Sequence, residues 1–522
     1  MIIIQNVFLP LDTDFNDVST IVSSVLKIDR NNIIFSQLYK KSVDARNKNN
    51  VCFCCSFTAN LESSIEKKLV KRKNVDYFRK EKYNWQINCN NKKRPVVVGF
   101  GPAGMFAALL LARSGMKPLV LERGSDVDTR TKKIKDFFEN GILDPDSNIQ
   151  FGEGGAGTFS DGKLNTGIKN NRCRAVIEAF YEFGANEDIL YDAKPHIGTD
   201  ILCKIVKNFR NEIIKLGGQV CFDTKVTDLI FDDKGISGVI ADGEVITAES
   251  VILCTGHSAR DIFSLLKDKN VALQRKPFAM GVRIEHLQKD INSALYGDFS
   301  EHPALSAAPY KLAVHLDNKR GLYTFCMCPG GEVVNASSEP DGIAVNGMSY
   351  NARNGKNANS ALLVGVSPED LNGDDVLEGC RLQLEIEKKA YNIAKGKVPI
   401  TTVGHFIYGE EAKFGKVLPT VKPETVFTDF SLILPEFICD TLKKGIPLLD
   451  KKLKGFADKE AILIAPETRS SSPVRILRNE KCECVSIKGL FPCGEGAGYA
   501  GGIVSAAVDG LLCAEELIKS IV

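Results

Sequence analysis

Residues 94–124 limit what this chain can fold into more than any other stretch. Residues 95–98, Pro-Val-Val-Val, are short and mostly β-branched, as a buried parallel strand is. The sequence Gly99-x-Gly101-x-x-Gly104 follows. Gly99 permits the tight turn out of the strand, Gly101 lets a pyrophosphate approach the backbone, and Gly104 lets the next helix pack close to the sheet. Pro102 suits a first helical turn, where a missing N–H costs nothing. The free N–H groups and positive dipole end of that helix then face phosphate. Phe106, Leu109 and Leu110 give it an apolar stripe, and Gly115 ends it. A second strand at 118–121 ends in Glu122, 23 residues after Gly99, close to the spacing of a ribose-hydroxyl acceptor. Strand, glycine turn, helix, strand and acid together predict a dinucleotide site, where a lone glycine motif would not.

The chain has 522 residues, enough for two or three domains. Its net charge of +2 gives no global bias toward nucleic acid or a membrane surface. No apolar run reaches the length of a membrane span. The first ten residues lack a basic region and a small-residue cleavage site, and read as a strand rather than a signal peptide. The 16 cysteines are scattered, and we read them as reduced, mostly buried thiols of a cytosolic protein. Cys52 and Cys55 form a Cys-x-x-Cys, but inside a strand that sends their side chains to opposite faces. No second such pair follows, so no metal site is expected.

Residues 1–88 read as a small N-terminal ferredoxin-like α/β domain of order β-α-β-β-α, with helices at 15–26 and 61–71. Residues 64–94 are locally rich in Lys and Arg, including Lys80, Lys92, Lys93 and Arg94. We read them as a solvated helix face and linker rather than a nucleic-acid patch. Residues 94–276 carry the first part of the nucleotide-binding domain. Within it, the glycine-rich run 151–166 has neither helical nor strand period and reads as a loop covering a flat ligand ring. The strand 250–254 ends in Thr255-Gly256-His257, as a flavin-type Rossmann domain needs where the chain passes the dinucleotide.

Residues 277–480 break the alternation of strand and helix. Asn-rich and Gly-rich turns, such as 351–359, separate short strand-like runs at 312–315 and 361–366, and we read an inserted mixed α+β domain that caps the site. Residues 481–522 return to the nucleotide domain as its second part. There Gly494-Glu495 turns after a strand, and residues 504–518, just after Gly502-Ile503, read as a helix, which aims a second N-terminus at an electron-rich group. The two helix starts, far apart in the chain, are expected to converge on one extended ligand. Cys326 and Cys328, two apart on a strand, read as structural thiols, because that spacing disfavours a disulfide.

The set Gly99–Gly104, Glu122-Arg123-Gly124, Gly155-Ala-Gly-Thr158, Thr255-Gly256 and Gly494-Glu495 resembles the glutathione-reductase-like FAD proteins. Lys41-Ser-Val-Asp-Ala-Arg46, Lys194-Pro-His-Ile-Gly-Thr-Asp200, Gly256-His-Ser-Ala-Arg-Asp261, Cys326-Met-Cys-Pro-Gly-Gly331 and Glu467-Thr-Arg-Ser-Ser-Ser-Pro-Val-Arg-Ile476 resemble more closely the uncharacterised bacterial FAD-dependent, NAD(FAD)-utilising dehydrogenases. The resemblance runs from about Lys41 to Gly510. It implies an α/β, glutathione-reductase-like FAD-binding Rossmann fold and a bound FAD. Glu495 departs from it, standing where most of the wider superfamily has Asp.

Carried over residue by residue, the resemblance implies Glu122 on the adenosine ribose and Gly101, Pro102 and Ala103 against the pyrophosphate. Val226 would offer backbone groups to adenine, and Glu495 would hold a ribityl hydroxyl. Gly99, Gly104, Arg123, Gly155, Thr255, Gly256, Gly494, Gly502 and Ile503 complete the cofactor set. Ser160 and Lys163 would reach the isoalloxazine edge, with Lys163 beside N5. His257 is the general acid/base candidate by position. Arg260, Arg283 and His286 are further substrate-side candidates. His196, Arg469 and Arg475 are the substrate candidates, the two arginines either gripping a carboxylate or phosphate or closing the insert onto the FAD domain.

A second glycine fingerprint is missing, so NAD(P)H is expected at most as a transient donor. The organic substrate itself or a protein electron carrier would otherwise supply electrons. The expected function is a cytosolic FAD-dependent oxidoreductase, a dehydrogenase moving two electrons between a small-molecule substrate and FAD. The alternatives are a flavin-dependent tRNA-modifying enzyme and a non-catalytic FAD-binding regulator.

Overall fold

The computed structural model describes residues 1–87, 89, 93–317 and 320–521. Residue 88, where the first domain was expected to end, and Lys92 of the basic stretch lie outside them. The chain begins β1 (Ile2–Leu9), α1 (Val18–Leu26), β2 (Ile33–Asp44), β3 (Cys52–Leu61), α2 (Ser63–Leu69), β4 (Val75–Tyr77). The four strands pair antiparallel in the order β2-β3-β1-β4, the arrangement of two interleaved β-α-β units. Helix α1 starts three residues later than its apolar period suggests. The Asp17 carboxylate accepts from Thr20 N–H and caps it there, while the Phe15 ring turns away onto Phe53, 5.6 Å between centroids. Strand β4 has no sequence signal of its own and is held by pairing with β1.

The segment after β4 does not hang free. Tyr83 Oη donates to Glu515 Oε1 at 2.6 Å, and Trp85 packs beneath the Arg113 guanidinium. Lys80 pairs with Glu178 at 3.0 Å and Arg94 donates to Gln219 at 3.0 Å. These basic side chains serve intramolecular contacts.

Next come β5 (Val96–Val98), α3 (Pro102–Arg113), β6 (Leu119–Leu121), α4 (Val127–Asn140), α5 (Arg172–Glu182), α6 (Thr199–Lys215) and β7 (Gln219–Cys221). The antiparallel ribbon β8 (Val226–Asp232), β9 (Gly235–Ala241), β10 (Glu244–Thr247) precedes β11 (Val251–Leu253) and α7 (Arg260–Asp268). Five strands form a parallel sheet in the order β23-β11-β5-β6-β7, where β23 is Leu490–Pro492. The order reverses between β5 and β11, so the crevice at their carboxyl ends is where a dinucleotide binds in such a sheet. Helix α3 has no exposed face: all of Ala103–Ala112 is buried. The stripe expected from Phe106, Leu109 and Leu110 was too narrow, because the C-terminal helix (Ile503–Ile521) covers the side away from the sheet. A Cβ on Gly510 of that helix would sit 2.1 Å from Ala103 O, so the two helices meet backbone to backbone.

The insert is built from β12 (Leu273–Arg275), β13 (Phe278–Leu287), α8 (Gln288–Tyr296), β14 (Ala313–His315), β15 (Gly321–Cys328), β16 (Glu332–Asn335), β17 (Val345–Met348) and β18 (Asn357–Val366). It continues with α9 (Glu378–Ala394), β19 (Val398–Thr402), α10 (Val403–Tyr408), β20 (Thr425–Phe427), α11 (Glu436–Asp450), β21 (Ile462–Glu467) and β22 (Val474–Ile476), before β23 and α12 (Ile503–Ile521). Seven strands pair in the order β14-β15-β18-β13-β21-β19-β20. Residues 357–359, expected within a turn, open strand β18 instead. Their buried amides have distant partners: Asn357 Nδ2 donates to Glu285 Oε1 at 3.2 Å, and Asn359 Oδ1 accepts from Arg283 Nε at 2.7 Å. Strand β12 pairs antiparallel with β22, Leu273 opposite Ile476, so the chain leaves and returns side by side.

Candidate functional site

A cavity of about 320 Å³ opens at the carboxyl ends of β5 and β11. Its position follows from backbone at three places. Gly99 has φ +95°, and a Cβ there would lie 2.5 Å from Cys254 O, so only glycine turns the chain past the neighbouring strand. A Cβ on Gly155 would lie 2.9 Å from Gly101 Cα, and one on Gly157 would lie 3.1 Å from Ile503 Cγ1. The glycine-rich loop therefore touches the starts of both α3 and α12. Both helix starts open on the same cavity.

The loop is held from behind. Arg130 of α4, fully buried, donates to four carbonyls: Asn148 O at 2.8 Å, Ile149 O at 3.0 Å, Glu153 O at 2.7 Å and Gly155 O at 3.0 Å. Glu122 is 5 % exposed and already accepts from Phe100 N–H (2.7 Å), Gly124 N–H (3.0 Å) and Gly152 N–H (2.9 Å). Oε1 takes two of these and Oε2 one, so a single acceptor site is left, on Oε2, for one hydroxyl. Arg123 lies over the Phe151 ring at 4.4 Å and pairs with Asp261 at 3.0 Å.

Of the residues the sequence singled out, Gly99, Gly101, Pro102, Ala103, Glu122, Arg123, Gly155, Ser160, Lys163, Val226, Thr255, Gly256, His257, Arg469, Glu495, Gly502 and Ile503 line this one cavity. Four do not. Gly104 faces the sheet, where a Cβ would meet Gly99 O at 2.0 Å, so its role is packing. Gly494 lies behind the wall, its N–H given to Asp509 Oδ2 at 2.7 Å. His196 gives its Nε2 to Asn351 O at 2.9 Å, against the 350s turn. Arg475 sits in β22 with its guanidinium over Tyr499 at 5.3 Å. Six residues of spacing do not bring Arg475 together with Arg469, because the chain turns into β22 between them. Three further candidates are structural. His286 Nε2 donates to Phe456 O, Arg283 is locked to Glu467, and Arg260 to Glu387.

Arg469 reaches the cavity but is not free to grip a substrate. With Arg260 it clamps the Glu387 carboxylate, Arg469 Nη2 to Oε2 at 2.8 Å and Arg260 Nη2 to Oε1 at 2.8 Å. This is the second of the two expectations, an ionic closure of the insert onto the nucleotide-binding sheet. Burial opposes the charge on Glu387, but Arg469 and Arg260 more than offset it and hold the carboxyl well below its usual range.

His257 was expected to work as an acid or base. Ser258 Oγ gives its proton to Gln150 Oε1 at 3.0 Å, so the 3.1 Å contact from His257 must be an Nδ1–H donor. Nε2 then presents a lone pair toward Glu495, 3.7 Å away. Burial, with Arg469 and Arg260 nearby, lowers the imidazole to about 4, so at neutral pH it accepts a proton poorly and has none to give. At neutral pH His257 stands as a neutral hydrogen-bonding wall beside Glu495.

Glu495 holds the proton instead. Burial raises it to about 7, with Lys276 pulling the other way. The folded pKa exceeds the unfolded one, so the folded state binds the extra proton between about pH 4.5 and pH 7, and stability falls as pH rises through that window. E495Q protein freed of ligand should lose less stability than the parent between about pH 5 and pH 8 in urea titrations, and equal losses would remove Glu495 from this role.

Sequence reasoning missed Arg130, Gln150, Asn346 and Glu467. Asn346 and Glu467 reach the cavity from the insert, at Arg283: Glu467 Oε2 accepts from Nη1 at 2.6 Å. No local signal marks them, since their partners lie more than sixty residues away. Among the described residues, Cys493, Asp509 and Cys513 converge as a metal would require. The Arg478 guanidinium fills that place, donating to Asp509 Oδ1 at 2.6 Å and Cys513 Sγ at 3.3 Å, and burial keeps both thiols protonated. No helix among the described residues is long and apolar enough to cross a membrane.

The family model described as "FAD-dependent protein, C-terminal domain-like" matches residues 277–470. An uncharacterised protein of Clostridium beijerinckii is 45 % identical over 526 residues, covering 99 % of this chain and 98 % of that protein. The FAD-dependent monooxygenase nodY2 of Hypoxylon pulicicidum is 26 % identical over 220 residues, 38 % of this chain and 44 % of that protein. Among solved structures, glycine oxidase from Bacillus cereus aligns over 82 % of this chain and 95 % of its own, with 13 % identity and a TM-score of 0.35. The halogenase PltM, in a mutant complex with FAD, aligns over 83 % of this chain and 70 % of its own, with 11 % identity and a TM-score of 0.39. The cavity fits that cofactor: glycine cradles that a Cβ would fill, a carboxylate at one end and two helix starts on its wall. The chain belongs to one family with the Clostridium beijerinckii protein and carries the C-terminal domain of FAD-dependent proteins.

Proposed function

We propose that the chain is an FAD-dependent oxidoreductase that moves two electrons between a small organic substrate and the flavin. The observation that carries this reading is the single cavity joining Glu122, the loop glycines Gly155 and Gly157, and the starts of α3 and α12. FAD, when bound, supplies the two-electron chemistry, which amino-acid side chains lack. The protein's own part is positioning and charge. Glu122 would accept from one ribose hydroxyl, and the N–H groups at the start of α3 would face the pyrophosphate. The start of α12 and the Lys163 ammonium would favour negative charge arriving on the ring. Burial disfavours the charge on Lys163, but Cys328, Asp161 and Cys326 around it more than restore it.

The insert supplies the substrate side, with Phe325, Asn346 and Ser470 on the cavity wall. His257 and Glu495 there give one hydrogen-bond acceptor and one exchangeable proton. NAD(P)H would enter as a visiting donor through the same opening; a protein carrier is the alternative donor. The test is anaerobic. Purified protein should show the visible flavin band, and that band should bleach with two electrons per chain on mixing with a competent metabolite, NADH or NADPH. Protein that stays colourless with excess FAD ends the reading.

A further inference from the structure

Strand β15 takes three steps from Phe325 to Cys328 while its partner β18 takes two, from Ala361 to Asn359. The extra residue forms a bulge in which Cys326 has φ +44°, a left-handed conformation that a side chain adopts at a cost. In a regular strand, residues two apart lie about 6–7 Å apart with parallel side chains, so their Cβ atoms sit beyond the roughly 3.5–4.5 Å of a disulfide. The bulge breaks that regular spacing and folds Cys328 back on Cys326, its Sγ donating to Cys326 O at 3.3 Å. Cys326 lines the cavity, and Cys328 behind it is fully buried.

We propose that Cys326 and Cys328 form a redox pair on the cavity wall, cycling between thiolate–thiol and disulfide and exchanging an electron pair with flavin. The electron acceptor rests on the function proposed above; the thiol chemistry does not. The charges around the pair favour one thiolate. Lys163 and Arg283 face it, and Arg353 stands behind Lys163 on the shared Asp161, with Nζ–Oδ2 at 2.9 Å and Nη2–Oδ2 at 2.5 Å. The carboxylates there are Asp161 and Glu467, with Glu495 further along the wall and the neutral Tyr310 phenol beside Cys328. Burial raises Glu467 to about 7 against the pull of Arg283, so three cations facing Asp161 and Glu467 leave at least one positive charge, which a sulfur anion balances.

The Cys328 S–H toward Cys326 is the largest influence on it. Burial opposes, Lys163 and Arg283 assist, and the Cys326 thiol is brought down to about 5. Cys328 moves the opposite way as the proton-bearing member. Its Sγ also accepts from Arg283 Nη2 at 3.7 Å. In the oxidative step the Cys326 Sγ–Cys328 Sγ bond forms, the Cys328 S–H bond breaks, and two electrons and one proton leave. Both electrons and that proton would pass to oxidised flavin, where it is bound.

The full chain, as purified and in parallel after flavin removal, would be equilibrated in glutathione buffers of graded potential. It would then be trapped by alkylation and mapped by peptide mass. The expected result is one peptide carrying both residues that loses two hydrogens and gains no label, and that is absent from C326S and C328S. Native iodoacetamide labelling of Cys326 should rise with a midpoint near pH 5, against an ordinary thiol at about 8.5. At pH 6 it should run roughly ten-fold faster than an ordinary thiol of equal access, the gain in thiolate being partly offset by lower nucleophilicity. K163M should move the midpoint upward. Both cysteines remaining separately labelled at every potential, or a midpoint near 8.5 in the parent, overturns the proposal. Failure to bind FAD leaves these readouts in place, so the two readings fail separately.

Discussion

G101A is expected to fold as well as the parent protein and to bind no flavin under ordinary purification. The new Cβ would lie 3.6 Å from Gly155 Cα, an ordinary contact, and the residue has φ −77°, which alanine adopts freely. Nothing in the empty fold is disturbed. The methyl nevertheless stands where the backbone must let a pyrophosphate approach, and overpacking of that kind costs about 1–3 kcal/mol. That is roughly a ten- to hundred-fold loss of affinity. The visible absorption of purified protein and a fluorescence titration with FAD measure it, alongside a urea unfolding curve that should not move. G104A is the matched control, since a Cβ there would lie 2.0 Å from Gly99 O and the fold itself must give way. A yellow G101A protein with parental affinity would place the pyrophosphate elsewhere.

E387A is expected to be among the most destabilising single substitutions in the chain. It strips the shared carboxylate from Arg260 and Arg469, and takes an acceptor from Thr468 Oγ1 at 2.6 Å. Removing one partner from a buried ionic cluster costs about 3–5 kcal/mol, because the remaining charges stay buried. The unfolding free energy should fall by that amount, read as a lower urea midpoint with the slope unchanged. Mild acid should not reproduce the effect, since the two arginines keep the carboxyl ionised far below neutrality. A loss under about 1 kcal/mol would mean that water reaches the arginines and screens them.

What the chain disclosed of itself was local. The turn at Gly99, the acid at Glu122 and the helix starts near Pro102 and Ile503 each depend on residues a few positions apart, so their chemistry is written in short spacings. The amide ladder of the insert was not. Asn357 and Asn359 are turn-formers by preference, and only Glu285 and Arg283, over seventy residues away, make them strand residues. Arg469 and Arg475 looked like a pair for the same reason, since spacing carries no knowledge of the turn into β22. Cys326 and Cys328 were read on a regular strand, and the bulge that alters their geometry is decided by pairing with β18. The N-terminal strand β4 and the all-round burial of α3 belong to this class too, being consequences of what covers them.

The pairing of β12 with β22 has a consequence for how such a chain can be rebuilt. Leu273 and Ile476 are cross-strand neighbours, so the polypeptide enters and exits the insert through one narrow neck. A short hairpin there could replace everything between, leaving the parallel sheet with all five of its strands. The same neck would admit a foreign cap in place of the native one. Substrate choice would then be open to exchange by grafting, provided the new cap replaces the partners that Arg353 and Ser349 give Asp161 of the glycine-rich loop.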